Sequence, residues 1–409
     1  MVTIRETKQR PEVLQNPIKT HRINSYLLFL VIVALLGASF NLPTSSGAQS
    51  SATNSIRFET VAAGIEHTQF TRTTATKEAG SGPWLINALR IDLKKAGIQV
   101  VRAMDEAVGL ETVSSLVTRH NAIAGINGGY FRTTGTYRGE SLGSLVLDGR
   151  LLSESHNDRA AVGLLRNDEL VFGRLRISAE IASRRLVKAV DGVNRPVAEN
   201  ELVVFTSDFH RTTLTSPGGL EVEVRRGRVI NIRDGHASSQ IPVAGLVLSA
   251  RGAARQWALK NLRRGMPITF SWKFAPMDSA PVSTWRDAHQ IIGGGPQLIS
   301  GGAISITNLE ETIAPAFISD RHPRTAIAKL GSGAVLLITV DGRQPGVSVG
   351  MSLPGLAELL REFDATEAIN LDGGGSTTMV LQNRIVNRPS DQSGERPVSD
   401  AILVFSSAK

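Results

Sequence analysis

Five apolar runs that begin or end on glycine, asparagine, aspartate or arginine constrain this chain more than any other feature. They are AGINGGYF (124–131), IIGGGPQLI (291–299), RHPRTAIA (321–328), LLITVDGRQPG (336–346) and INLDGGGSTT (369–378). A short apolar run bounded by turn residues reads as a buried strand. Glycines at the end of such a strand let a ligand approach the backbone closely, and successive free N–H groups in a turn form an anion-binding nest. One such loop is equally well a tight turn. Several together, with arginine and aspartate at the strand ends, predict a sheet-built domain that gathers polar groups at one place.

The remainder supports that architecture. Residues 140–250 alternate short strands with turns, and Asp148–Gly149 and Arg226–Gly227 read as hairpin turns. WLINALRIDLKKAGIQVVRAMD reads as two strands around Lys94–Gly97. ETVSSLVTRHN (Glu111–Asn121) has helical spacing, ARQWALKNLRRG is a short helix with Gly265 as its stop, and PGLAELLREF places Leu356, Leu359, Leu360 and Phe363 on one helical face before a strand. The elements do not alternate strand and helix throughout. The expected class is therefore α+β, a strand-rich single catalytic domain with mixed β-sheets and a few helices.

The N-terminus reads separately. Residues 1–22 carry five basic and two acidic residues, and an uncharged apolar run, YLLFLVIVALLGASF (26–40), follows. Small residues at Gly47 and Ala48 suit a signal-peptidase cut. The run is also compatible with an uncleaved anchor, with positive charge inside. The expected organisation is a signal peptide or N-terminal membrane anchor over 1–48, a linker over 49–57, and one domain over 58–407. Export follows on either reading, with the product secreted or held at the outer face of the cytoplasmic membrane, and membrane contact is confined to the N-terminal segment. The chain has no cysteine, so disulfides, lipoprotein modification, thiolate metal sites and a cysteine nucleophile are excluded. The net charge of +8 is not concentrated in a run, and aromatics are 5%. No nucleic-acid partner is expected.

Arg324 follows Pro323, and a guanidinium there suits a phosphate or carboxylate. Thr325 can add a hydroxyl, and His322 can donate a proton. Asp341 and Asp372 each close an apolar strand at a glycine turn. Two such carboxylates can flank a glycosidic bond, or each can cap its own turn. No G-x-S-x-G elbow and no H-E-x-x-H helix is present. No cofactor is specified. A divalent cation at the carboxylates is compatible with the residues but is not signalled by a binding loop.

HPRTAIA, VDGRQPGVSVGMSLPGLAELL and AINLDGGGSTTMV…VNRPSD…RPVSDAILV together resemble the phosphodiester glycosidase family, with INGGYF and IGGGPQLI matching its earlier motifs in order. The resemblance runs from Phe58 to Phe405 and is densest from Ile291. It implies hydrolysis of an α-linked sugar 1-phosphodiester to free sugar and a phosphomonoester, with a glycan or sugar phosphate as partner. It further implies one pocket holding Asn127, Arg324, Thr325, Asp341, Asn370, Asp372 and glycines 373–375. Arg324 and the amides of Gly373, Gly374 and Gly375 would hold the phosphodiester, with Asp372 and then Asp341 as the charge-stabilising carboxylate. Asn127, Tyr130 and Asn370 would orient sugar hydroxyls, and Gly128, Gly294, Gly295, Ser376 and Thr377 would line the substrate. Asp364 departs from the glycine expected after the helix, and Gly129 stands where members vary. A noncatalytic polysaccharide binder and a phosphodiesterase attacking phosphorus remain alternatives.

Overall fold

The computed structural model describes residues 56–406 apart from Arg185 and Ser279. The signal or anchor segment and nearly all of the linker lie outside those residues. No helix among the described residues is long and apolar enough to cross a membrane.

The domain is α+β, with strands predominating and five short α-helices among the described residues. Its centre is an eight-stranded sheet. Strand Arg324–Leu330 lies between Val335–Val340 and Ala365–Asn370, and Val335–Val340 pairs in turn with Trp84–Ile91. All these pairs are antiparallel. Alternation along the central strands splits their side chains between two cores. Leu89, Ile327, Leu337 and Ile369 enter one; Ala88, Ala326, Ala328, Leu336 and Ile338 enter the other.

Helix Leu353–Glu362 covers the second face. Ser352 caps it by accepting from the Gly355 amide, and a proline sits in the first turn, where no intrahelical donor is lost. Leu353, Leu356, Leu359 and Leu360 are all buried there, each burial contributing roughly 1.5–3 kcal/mol. Asp364 follows with φ 62°. That left-handed position explains why glycine is expected there and why a short polar residue substitutes.

The first core is shared with three further sheets, one of which contributes Val203, Phe205 and Val247. A five-stranded sheet has Ala124–Asn127 between Met379–Leu381 and Asp400–Ser406, with Ala96–Arg102 at its edge. A seven-stranded sheet carries Ala288–Gly293. The two strands read from WLINALRIDLKKAGIQVVRAMD therefore exist, at Trp84–Ile91 and Ala96–Arg102, but they belong to different sheets.

Both expected hairpins form, with φ of 51° and 73° at Asp148–Gly149 and 48° and 70° at Arg226–Gly227. The second helix ends at Asn261, before Gly265. Its C-cap, Leu262, is already extended. One pair of strands, Gly192–Val193 with Leu202–Thr206, is parallel and makes its sheet mixed.

Candidate active site

Antiparallel register collects the polar strand ends. Arg324 pairs with Val340, and Ala326 pairs with Asn370, so Arg324, Asp341 and Asn370 all emerge at one end of the central sheet. Strand Ala124–Asn127 arrives from the neighbouring sheet. The Asn127 amide nitrogen donates to the Asp372 carbonyl at 2.6 Å, and the Asp372 N–H donates to the Gly128 carbonyl at 3.1 Å. The two glycine loops are thereby tied together.

Arg324 is only 2% exposed. Its Nε donates to the Met351 carbonyl at 2.8 Å and its Nη2 to the Phe317 and Asp320 carbonyls at 2.9 and 2.7 Å. Its guanidinium carbon lies 5.1 Å from the Phe317 ring centroid. It makes no ion pair with a carboxylate among the described residues. Burial pulls its pKa down to about 10. A buried cation held by neutral carbonyls lacks charge compensation, which is costly unless an anion supplies it. Arg343 adds to the positive end, its Nη2 3.5 Å from His322 Nδ1. Burial, then Arg324 and Arg343, push the His322 pKa below its ordinary value.

The two aspartates differ. Asp341 is 1% exposed, and both its oxygens are committed. Oδ1 accepts from Asn387 Nδ2 at 2.9 Å and Oδ2 from the Arg388 N–H at 2.7 Å. Asp372 retains contact with solvent. Its Oδ1 accepts from the Gly373 N–H at 2.9 Å. Desolvation pushes both aspartates up to about 6, opposed at Asp372 by the Ser376 hydroxyl, the Gly373 amide and Arg396. The acidic group whose charge acts on Asp372 is Asp400, not Asp341.

The geometry thus makes Asp341 a clamp on the 387–388 segment. Asp341→Ala leaves two inward-facing donors without an acceptor. It is expected to lower the unfolding free energy by about 2–4 kcal/mol, measured by denaturant titration. Activity per folded molecule should fall less than in an Asp372 variant.

The glycine run does something other than present three free amides. Gly373 donates to Asp372 itself, and the Gly374 N–H donates to the Pro323 carbonyl at 2.9 Å. Two of the three expected anion-binding amides are therefore engaged internally. Gly375 is required for a different reason: a Cβ there would collide with the Arg396–Asp391 ion pair. Gly128 likewise lies against the Asp400 carboxylate.

Asn127 is buried, and its Oδ1 accepts from the Thr325 hydroxyl at 2.8 Å and the Thr378 N–H at 3.2 Å. Asn127 and Thr325 brace the loop from within and have few polar atoms left for a sugar. Thr377 is also buried, its carbonyl bonded to Asn387, and Ser376 stands beneath Asp372. Tyr130 donates to the Gly295 carbonyl at 2.6 Å and accepts from Asn370 Nδ2 at 2.7 Å. Burial, then Asp372, raise its pKa. Asn370 Oδ1 is buried without a partner among the described residues. Gly294 and Gly295 donate to the Ala160 and Asn370 carbonyls at 2.8 and 2.7 Å, so these two build the wall beside Tyr130.

Sequence reading missed Asp400, Arg396, Arg343, Phe317 and Arg159. Asp400 accepts from the Gly129 N–H at 2.7 Å and from the Ser399 and Ser141 hydroxyls at 2.7 and 3.1 Å. Burial raises its pKa. RPVSDAILV carries it at a strand start, without the glycine turn that marks Asp372. No group of three or more potential ligands arranged for a metal ion occurs among the described residues. A cavity of about 1060 Å³ lies elsewhere, against Lys94, Lys95, Asn167 and Lys329. Lys329 is near the far end of the strand that Arg324 begins, so that cavity is distinct from the arginine–aspartate site.

Fold and site together define a strand-built domain that holds a buried cation without an ion-pair partner among the described residues, next to the loop of half-buried Asp372. Residues 218–405, a little under half of the chain, match the phosphodiester glycosidase family. The match includes Arg324, Asp341, Asn370 and Asp372 but not Asn127 or Tyr130. Mouse N-acetylglucosamine-1-phosphodiester alpha-N-acetylglucosaminidase is 28% identical over 184 residues, 43% of this chain and 34% of the relative. Its human counterpart is 36% identical over 111 residues, 25% of this chain and 21% of the relative. The chain therefore spans a third or less of the length of these relatives. The fold is similar to that of a hypothetical protein from Synechocystis, with TM-score 0.72 and 22% identity over 84% of this chain and 62% of the other. A protein of Burkholderia pseudomallei has the same TM-score and identity over 86% of this chain and 96% of its own.

Proposed function

We propose that this chain is an exported hydrolase that cleaves an α-linked sugar 1-phosphodiester in a cell-envelope or extracellular glycan. The single observation that carries this reading is Arg324: a buried guanidinium without a carboxylate partner among the described residues, next to the loop that presents Asp372. A phosphodiester supplies the missing negative charge. Arg324 holds it, with Arg343 completing the positive end and the neutral His322 imidazole beside it.

Phosphate leaves readily, so little general acid is needed at a site with few titratable groups. Water adds its oxygen to the anomeric carbon, and the bond from that carbon to the phosphate oxygen breaks, its electron pair staying on the phosphomonoester. Ionised Asp372 stabilises the charge that builds on the sugar ring and accepts the proton lost by water. Asn127 and Thr325 act as positioning residues that fix the Asp372 loop. Tyr130 and Asn370 form the wall against which the sugar rests. The N-terminal basic stretch and apolar run support export, and the match of residues 218–405 to the phosphodiester glycosidase family supports the reaction class.

Turnover in heavy-oxygen water tests the bond broken. The expected result is label in the released sugar. Label in the phosphomonoester instead means attack at phosphorus, and an absence of turnover on every sugar 1-phosphodiester offered makes the protein a noncatalytic glycan binder.

A further inference from the structure

A second arginine stands at this pocket without a role in the chemistry just described. The Arg159 guanidinium carbon lies 5.6 Å from the Tyr130 ring centroid. Tyr130 meets Phe317 edge to face, with centroids 6.2 Å apart at 68°, and Arg324 stacks on Phe317. The site therefore contains an aromatic pair with one arginine on each ring. A Cβ at Gly295 would touch the Arg159 stem at 3.6 Å, which seats that stem against the wall already built from Gly295, Asn370 and Tyr130.

Arg159, like Arg324, is short of negative partners. Its Nε is buried with no hydrogen-bond partner among the described residues, and it makes no ion pair among them. Glu311 is the acid whose field it feels, but that carboxylate accepts from the Ala160 and Gln297 N–H groups and the Thr307 hydroxyl. His156 nearby contributes no negative charge. One phosphodiester carries one negative charge, and Arg324 with Arg343 already answers it. The Arg159 guanidinium, partly desolvated and stacked on an aromatic ring, is the residue type that grips a further carboxylate or phosphate through paired N–H groups.

We propose that Arg159 binds a second anionic group of the substrate, so that the site selects sugar phosphates bearing a further carboxylate or phosphate. The inference rests on the sugar-phosphate reading above and goes beyond it by naming a substrate class. Calorimetric titration of the full chain with α-glucose 1-phosphate, α-glucuronic acid 1-phosphate and α-glucose 1,6-bisphosphate tests it and separates the two anion sources.

At least one of the two ligands that carry a second anionic group is expected to bind about tenfold tighter than glucose 1-phosphate, the scale of one added charged contact. Arg159→Gln should collapse that ratio towards one, and Arg159→Lys, which keeps the charge, should retain an intermediate ratio. Equal binding of all three ligands, or a ratio that survives in Arg159→Gln, overturns the inference alone. Failure of all three to bind overturns the sugar-phosphate reading beneath it.

Discussion

Arg324→Lys is expected to lower kcat/KM on a sugar 1-phosphodiester by about 10²–10³-fold, the scale of losing one preorganised electrostatic contact to a reacting group. The guanidinium spends Nε and Nη2 on the Met351, Phe317 and Asp320 carbonyls. Those bonds fix the plane and aim of the whole group. An ammonium on a flexible stem keeps a charge but cannot satisfy three carbonyls and also leave two Nη1 donors aimed at an anion. Arg324→Ala additionally strands buried carbonyls and should unfold more readily, which makes lysine the cleaner probe. Steady-state kinetics with circular dichroism as a fold check decide the matter. Near wild-type kcat/KM in a folded Arg324→Lys protein removes this residue from the site.

Asp372→Asn should lower kcat by a factor on the order of 10³, within the range for loss of a positioned carboxylate, with a smaller change in KM. The loop geometry survives this change, because the Asp372 backbone bonds to Gly128 and Asn127 do not involve the carboxylate. The pH dependence supplies a second, independent readout. Desolvation holds Asp372 up to about 6, and the ionised form is the one that stabilises positive charge on the sugar. Activity should therefore be present above that value and fall as pH drops through about 6, as an acid limb in kcat/KM. The residual activity of Asp372→Asn should lack that limb. Asp341 is pushed to a similar value, so a limb that persists in Asp372→Asn would transfer the titration, and the catalytic assignment, away from Asp372.

The two aspartates mark the limit of sequence reading. Both close an apolar strand at a glycine turn, and nothing in VDGR or LDGG ranks them. Tertiary contacts rank them: Asn387 and Arg388, more than forty residues downstream, use both oxygens of Asp341, while the backbone donor to Asp372 is its own neighbour Gly373. The glycines were legible as close-approach positions, but not what approaches. At Gly375 it is the Arg396–Asp391 pair, and at Gly128 the Asp400 carboxylate. Arg159 and Phe317 carry no local signature, because their role depends on stacking against rings brought from elsewhere in the chain.

By itself the sequence determined the strand-rich class, the two hairpin turns, the capped helix over Leu353–Glu362, and the fact that Arg324, Asn370 and Asp372 stand at strand ends. These are properties of local periodicity and backbone preference, which act over a few residues. Only the tertiary structure decided that strands Trp84–Ile91 and Ala96–Arg102 part into different sheets. It alone decided that Arg324 is buried without a partnering acid among the described residues, and that Asp400 rather than Asp341 is the acid whose charge acts on Asp372. The physical reason is that sheet pairing and charge compensation are long-range. Each depends on which distant segment comes to lie alongside, and a strand's own residues carry no label for that neighbour.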